Sequence, residues 1–291
     1  MRIVSLLPGA TETLFALGLG GRVVGVTHEC DHPAAARELP RVTRPLLDLH
    51  GLDGAGIEAA VAEAAAAGRP LYEVDGARIR QLRPDLVVAQ DVCRVCAVPA
   101  EQALVELPGV RVLRQHPHTL ADVLDGMAEL ARVCGVEESG LLQRLRQRID
   151  SAAAAAAARP RVRGVFLEWL DPPYPAGHWT PDLLRLAGID DPLARPGRPS
   201  APVGWEAVAA ARPELLLLAP CGFDLDRARG EAERRSRALE AVGARRMAVF
   251  DGSSFFNRPG PRLVRSLEML CEEAASIMPA VEGRSTGWRD G

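Results

Sequence analysis

Two stretches of the sequence, RPDLVVAQDVC at residues 83–93 and RPELLLLAPC at residues 212–221, repeat one pattern. Each has Arg-Pro, an acidic residue and Leu, then an apolar run and a cysteine, and each follows a segment rich in Ala, Leu and Arg. A short apolar run after a helix-like segment indicates a buried parallel strand. The repeat therefore predicts two similar α/β units, one in each half of the chain.

Outside these stretches, strand-like and helix-like runs alternate along the chain, as in RIVSL followed by TETLFALGL near the N-terminus. This alternation is typical of parallel α/β sheets. Between the halves, EESGLLQRLRQRIDSAAAAAAARP at residues 137–160 is rich in helix formers and ends at proline. We predict two Rossmann-like lobes, 1–136 and 161–291, joined by a long rigid helix over 137–160, with the ligand cleft between the lobes. One more surface helix is the alternative for 137–160.

The composition excludes several classes of protein. The formal net charge is −3 and 25% of the residues are charged, so no global basic field is available for nucleic acid or an anionic membrane. The N-terminal apolar run is interrupted by Pro8, Glu12 and Thr13, which predicts neither an export signal nor membrane insertion. We therefore expect a cytoplasmic chain without structural disulfides. The sequence has no phosphate loop, dinucleotide motif or nucleophile elbow.

The chemically distinctive residues lie in loops that follow the predicted strands. Ligands of open α/β sheets bind beyond the carboxyl ends of the strands, so we expect these loops to form the binding face. The loops cover residues 6–13, 27–33, 90–96, 168–179, 219–224 and 251–262. The polar candidates for ligand binding among them are His28, Glu29, Asp91, Glu168 and His178.

Aromatic residues share this bias, although they make up only 4% of the chain. Most lie at loop ends in the second half, where polar turn residues are the norm. This placement indicates a wall for a flat or bulky ligand, and the alternative is packing of one lobe against the other. The aromatic candidates are Trp169, Tyr174, Trp179, Trp205, Phe223, Phe255 and Phe256.

Four of the six cysteines also fall in these loops: Cys30, Cys93, Cys96 and Cys221. Thiolates gathered from several strand ends favour an iron–sulfur cluster or zinc, with His28 and His178 as further ligands or as groups that orient them. The alternatives are a redox dithiol in CRVC and thiols without a metal. Cys134 and Cys271 lie in helical patterns and are interpreted as buried small hydrophobic residues.

Three long segments resemble the cobalamin-type periplasmic binding proteins: RIVSLLPGATETLFALGLGGRVVGVTHECDHP (2–33), VFLEWLDPPYPAGHWTPDLLRLAG (165–188) and FFNRPGPRL (255–263). The resemblance implies two α/β lobes on one rigid helix, with a cleft that binds cobalamin, haem or metal chelates for an ABC transporter. It also implies which residues line the cleft, namely Trp169, Tyr174, Trp205, Phe255, Phe256 and Arg258. The motifs HEC, CRVC and PCGFD are similar to those of a cytoplasmic branch of the family.

These observations lead to one functional hypothesis and two alternatives. We expect a cytoplasmic binding protein for a small molecule or metal chelate, whose cleft holds a metal centre or a metal-containing cofactor such as a corrinoid. The first alternative is a corrinoid carrier or sensor without a thiolate metal site. The second is a metal- or cluster-dependent redox enzyme acting on a small substrate. The N-terminal sequence without an export signal speaks against an ABC transporter partner.

Overall fold

The computed structural model describes residues 1–90, 109–136 and 139–277. The N-terminal half of the chain is built on a parallel sheet. The strands of this part are β1 (Ile3–Ser5), β2 (Val23–Val26), β3 (Thr43–Pro45), β4 (Tyr72–Val74), β5 (Leu86–Gln90) and β6 (Arg111–Gln115). The helices are α1 (Pro8–Ala16), α2 (Gly54–Ala66), α3 (Gly76–Leu82) and α4 (Leu120–Val133). The parallel sheet has the order β2-β1-β5-β6, and β3 pairs with β4 in a separate antiparallel ribbon.

A second sheet follows the long helix α5 (Ser139–Ala157). Its strands are β7 (Val162–Leu170), β8 (Pro173–Pro175), β9 (Ile189–Asp190), β10 (Leu215–Leu218) and β11 (Arg246–Val249). The helices around it are α6 (Thr180–Leu186), α7 (Trp205–Ala210), α8 (Leu225–Arg234), α9 (Ser236–Val242), α10 (Gly252–Phe255) and α11 (Leu263–Ile277). Its order is β11-β10-β7-β8, with β9 also paired to β7. Two separate, mainly parallel sheets confirm the predicted α/β fold with two lobes.

The sequence repeat corresponds to matching positions in the two sheets. Strands β5 and β10 each lie between two neighbours, and both arginines that precede them, Arg83 and Arg212, have φ of 47°. In both lobes the following acidic residue donates its backbone N–H to an arginine carbonyl, Asp85 to Arg2 at 2.8 Å and Glu214 to Arg163 at 2.9 Å. The repeat therefore encodes the backbone geometry that leads into the strand as well as the strand itself.

Helix α4 takes part in both lobes. Its residues Leu120, Val123 and Met127 pack into the hydrophobic core of the second sheet, whereas Leu130 and Val133 pack into that of the first. Helix α5, whose 19 residues span about 28 Å, packs against α11 and against α6. The connection between the lobes thus includes α4 besides the predicted helix, while the exact domain limits at residues 136 and 160 stay a prediction.

None of the helices in the described ranges is both long and apolar enough to cross a bilayer.

Candidate functional site

The segments that follow β1 and β11 meet at Gly9, the second residue of α1, and Pro259. Gly9 follows β1 and Pro259 follows β11; a Cβ atom on Gly9 would overlap the carbonyl group of Pro259. A Cβ atom on Gly260 would lie 3.0 Å from the carbonyl oxygen of Gly9. Only glycine allows two backbones to approach so closely. The carboxyl ends of both sheets therefore border one interlobe face.

A buried group of charges joins the lobes beside these glycines. Glu12, from α1, accepts hydrogen bonds from Arg262 at 2.9 Å (Nε to Oε2) and 2.6 Å (Nη2 to Oε1). Arg258 pairs with Asp31, and its Nη1 lies 3.6 Å from Oε1 of Glu12. Only 4% of Glu12 and 7% of Arg258 are exposed, so the Glu12 end of this group is shielded from water, whereas 47% of the Asp31 side chain is exposed. We call these four residues the arginine contact.

The ionisation of the arginine contact follows from its pairing. Burial favours the neutral form of Asp31, but the hydrogen bond and the charge of Arg258 outweigh it and lower the pKa of this carboxyl group. Burial likewise opposes the charge on Arg258, and Asp31 and Glu12 outweigh it and raise the pKa of the guanidinium. Both partners thus stay charged, which binds the lobes together electrostatically.

A second contact is made by the start of α2, on the first lobe. Glu58 accepts a hydrogen bond at 2.8 Å from the hydroxyl group of Tyr174. Burial and this hydrogen bond raise the pKa of Tyr174 to about 12, so the phenol stays protonated. Arg227, on α8, donates to the carbonyl oxygen of Leu52 at 3.2 Å. We call the packing of residues 52–58 on the second lobe the α2 contact.

Gly54, the first residue of α2, is buried at this contact. A Cβ atom on Gly54 would lie 2.9 Å from Oε1 of Glu231 and 3.7 Å from the indole ring of Trp169. The lobes are therefore as close here as a residue without a side chain permits.

His28 and Glu29 lie at the interlobe face. The Nδ1 atom of His28 is 2.8 Å from the hydroxyl oxygen of Thr43, and its Nε2 atom is 3.5 Å from Oε1 of Glu29. Burial lowers the pKa of His28; Glu29 raises it and Arg41 lowers it further. The net direction favours a neutral imidazole near pH 7. The carbonyl oxygen of Glu29 accepts a hydrogen bond of 3.2 Å from Arg258.

Glu168 and His178 hold a loop of the second lobe. Glu168 accepts hydrogen bonds from the backbone of Gly177 at 3.0 Å and from the hydroxyl group of Ser200. His178 stacks on His118, with ring centroids 5.7 Å apart, and burial lowers its pKa. Glu168 thus anchors the loop by hydrogen bonds and His178 packs against His118, while the role of both residues as ligand contacts stays a prediction.

Three of the aromatic candidates lie together at the α2 contact. Trp169 and Tyr174 are partly exposed, on the neighbouring strands β7 and β8. Phe223 packs edge-on against Trp169 with ring centroids 5.1 Å apart and is only 2% exposed. We call Trp169, Tyr174 and Phe223 the aromatic wall.

The other aromatic candidates are part of the second lobe's packing. The indole of Trp179 donates to the carbonyl oxygen of Phe256 at 2.9 Å, and both side chains belong to the hydrophobic core. Phe255 and Trp205 are partly buried and pack against the two core clusters of this lobe. Packing within the second lobe accounts for these rings, rather than a ligand wall or packing of one lobe against the other.

The cysteines divide between described and undescribed parts of the chain. Cys30 is 1% exposed, with its sulfur 3.1 Å from the hydroxyl oxygen of Thr11 and 3.2 Å from that of Thr27; burial raises the pKa of this thiol. Cys221 is partly buried and follows β10. Asp91, Cys93 and Cys96 lie outside the described residues. Within the described ranges, no three His, Cys, Asp or Glu side chains come together as a metal site, and the four-thiolate site stays a prediction.

Several residues of the two contacts were not identified from the sequence. They are Gly9, Glu12, Gly54, Glu58, Glu231 and Arg262. The glycines in PGATE and RPGP were the available signal, because each is followed within three residues by a charged partner in the arginine contact. These glycines identify the two segments, but they do not show which charged residue of one segment pairs with which residue of the other.

Comparisons with known proteins extend over almost the whole chain. Residues 3–248 match the sequence profile of the family described as periplasmic binding protein. The vitamin B12-binding protein of Vibrio vulnificus is 26% identical over 284 residues, which cover 95% of this chain and 90% of the relative. The crystal structure of the periplasmic vitamin B12 binding protein of Vibrio cholerae has a TM-score of 0.68 at 22% identity, covering 95% of this chain and 97% of that one. A periplasmic heme binding protein from Pseudomonas aeruginosa has a TM-score of 0.66 at 24% identity, covering 96% and 94%.

The comparisons correct one expectation. The cytoplasmic location that we expected from the N-terminal sequence is wrong, because the matched family and both of these solved structures are periplasmic. The compartment was inferred from hydropathy at one end of the chain, whereas the matches rest on nearly its full length.

Proposed function

This chain belongs to the periplasmic binding protein family, and from that membership we propose that it binds a corrinoid, or a closely related metal chelate, between its two lobes. Relatives named as vitamin B12-binding support the choice of ligand class. The observation that carries the proposal is the aromatic wall, whose Trp169 and Tyr174 are partly exposed at the interlobe face. Aromatic rings of this kind bury the faces of a large macrocycle. The corrected location removes our objection to an ABC transporter partner, and delivery to one is part of the proposal.

The charges at the interlobe face favour an uncharged rim on the ligand. Haem carries two carboxylates, whereas the rim of a corrinoid carries mostly neutral amides. The chain has no lysine, so arginines would have to pair with ligand carboxylates. Arg258 and Arg262 are already paired with carboxylates, and Arg227 donates to a carbonyl oxygen. Among the residues that the structure describes, a ligand carboxylate that paired with Arg258 or Arg262 would have to break an existing ion pair, which costs free energy.

We expect titration calorimetry to detect saturable binding of cobinamide or cobalamin. Haemin should bind at least about tenfold more weakly. A tenfold difference in affinity corresponds to about 1.4 kcal/mol, and breaking one buried ion pair costs more than that. Replacing Trp169 by alanine should weaken corrinoid binding by about tenfold or more through loss of the ring contact.

Phe15→Ala is the matched control for this titration. Phe15 is a partly buried ring that packs in the core of the first lobe, so its loss should lower stability without a specific loss of affinity. Tighter binding of haemin than of both corrinoids would refute the preference for a neutral rim. No binding of any of the three ligands would refute the proposed ligand class.

A metal centre held by Cys30, Cys93, Cys96 and Cys221 is a separate proposal. The observation in its favour is that Cys30 and Cys221 follow β2 and β10, on opposite lobes and at the carboxyl ends of their sheets. Metal binding requires thiolates, and burial of Cys30 opposes its deprotonation. A bound cation would have to overcome this cost.

Metal analysis and the absorption spectrum of protein purified without air test the cysteine proposal. Near-stoichiometric metal is expected in the unaltered chain, and Cys30→Ser or Cys221→Ser should reduce it several-fold. Cys134→Ser is the matched control, because Cys134 is also buried and burial also raises its pKa. Metal that persists in both Cys30→Ser and Cys221→Ser, or its absence from the unaltered chain, contradicts the four-thiolate site.

A further inference from the structure

Arg235 lies among three carboxylates contributed by both lobes. Its Nη2 atom pairs with Asp171, from the turn after β7, and lies 3.7 Å from Oδ2 of Asp53, the residue that caps α2. Its Nε atom lies 3.6 Å from Oε1 of Glu231, one turn earlier on α8. Asp53 belongs to the first lobe, whereas Asp171 and Glu231 belong to the second. A single guanidinium thus contacts acidic groups on both sides of the α2 contact.

Glu231 is the carboxylate of this cluster that most needs a neighbouring positive charge, because it is buried. Its side chain is 2% exposed, and its Oε1 atom has no hydrogen-bond partner. This atom points at Gly54, where a Cβ would lie 2.9 Å away. A buried carboxylate with an oxygen atom that accepts no hydrogen bond depends on nearby positive charge for its stability. In the described part of the chain, the arginines closest to Glu231 in its ion pairs are Arg235 and Arg234, whose Nε atom is 3.7 Å from Oε2 of Glu231.

The two arginines differ in what they join. Arg234 is 52% exposed and its pairing with Glu231 lies within α8. The side chain of Arg235 is 25% exposed and contacts Asp53 on the other lobe. Without Arg235, the charge of Asp53 would face those of Asp171 and Glu231 at short range. Like charges that face each other across an interface favour its opening.

We propose that Arg235 holds the α2 contact closed by neutralising carboxylates from both lobes. The packing of α2 against the aromatic wall then depends on this one side chain. Closure here is a property of the chain itself and does not depend on which ligand is bound. Opening of the contact would expose more of Trp169 and Tyr174, because Gly54 lies against the indole ring of Trp169 and Glu58 accepts the hydrogen bond of Tyr174.

Amide hydrogen exchange at Gly54, followed by NMR without ligand, measures this opening. The first N–H groups of a helix have no partner within the helix, so protection of the Gly54 amide depends on the second lobe that covers it. In Arg235→Met we expect exchange at Gly54 to become at least about tenfold faster. Gly76 is the internal reference, because it is the buried first residue of α3 in the same lobe and should not change.

Two further variants separate charge neutralisation from a general loss of structure. Arg234→Met removes the neighbouring arginine and should leave exchange at Gly54 within about twofold of the unaltered protein. Glu231→Gln combined with Arg235→Met restores the net charge of the cluster and should recover most of the protection. Unchanged exchange in Arg235→Met, an equal effect of Arg234→Met, or no recovery in the double variant would each overturn the proposal.

Discussion

Replacing Glu12 by alanine is expected to lower the free energy of unfolding by about 3 kcal/mol. Glu12 is the buried carboxylate that pairs with Arg262 and lies 3.6 Å from Arg258. Without it, two arginine side chains remain close together in a site that is shielded from water. Removal of one partner of a buried pair costs more than the pair itself contributes, because the remaining charge keeps its desolvation cost.

Chemical denaturation followed by circular dichroism measures the effect of Glu12→Ala. Glu38→Ala is the matched control, because Glu38 is an exposed glutamate of the same lobe and its loss should change stability by less than about 0.5 kcal/mol. A loss below about 1 kcal/mol in Glu12→Ala would show that the arginine contact does not stabilise the fold.

Phe256→Ala is expected to lower the free energy of unfolding by about 4 kcal/mol, as for other large core side chains. Its ring is 3% exposed and lies between Phe166 and Phe250, with centroid distances of 5.0 Å and 5.3 Å. The resemblance to known proteins implied that Phe256 lines the cleft. If its main role is packing, truncation should act on stability first and on ligand affinity only as a consequence.

The neighbouring Phe255 provides the comparison. It is partly buried, and the guanidinium of Arg262 lies 5.6 Å from its ring centroid. Phe255→Ala should therefore cost less than half as much stability as Phe256→Ala in the same denaturation experiment. Equal losses of stability, or a specific loss of corrinoid affinity in Phe256→Ala at unchanged stability, would contradict the core assignment of Phe256.

The sequence by itself determined the fold, because the signals for it are local. Strand β5 and strand β10 follow from an Arg-Pro-acid-Leu pattern and an apolar run that are complete within about ten residues. Helix α5, at Ser139–Ala157, lies within the predicted 137–160 for the same reason. The placement of His28 and Glu29 after β2, and of Phe223 after β10, also follows, since parallel strands place their carboxyl ends at one edge of each sheet. The position of Tyr174 does not, because β8 runs antiparallel to β7.

Only the tertiary structure decided which of those loop residues are partners. Glu12 and Arg262 are 250 residues apart, and no periodicity or spacing relates them. The separation of the aromatic wall from the core rings Trp179 and Phe256 likewise depends on how each loop turns after its strand. Such pairings are fixed by the orientation of two lobes on a shared helical connection, and that orientation results from packing between distant segments.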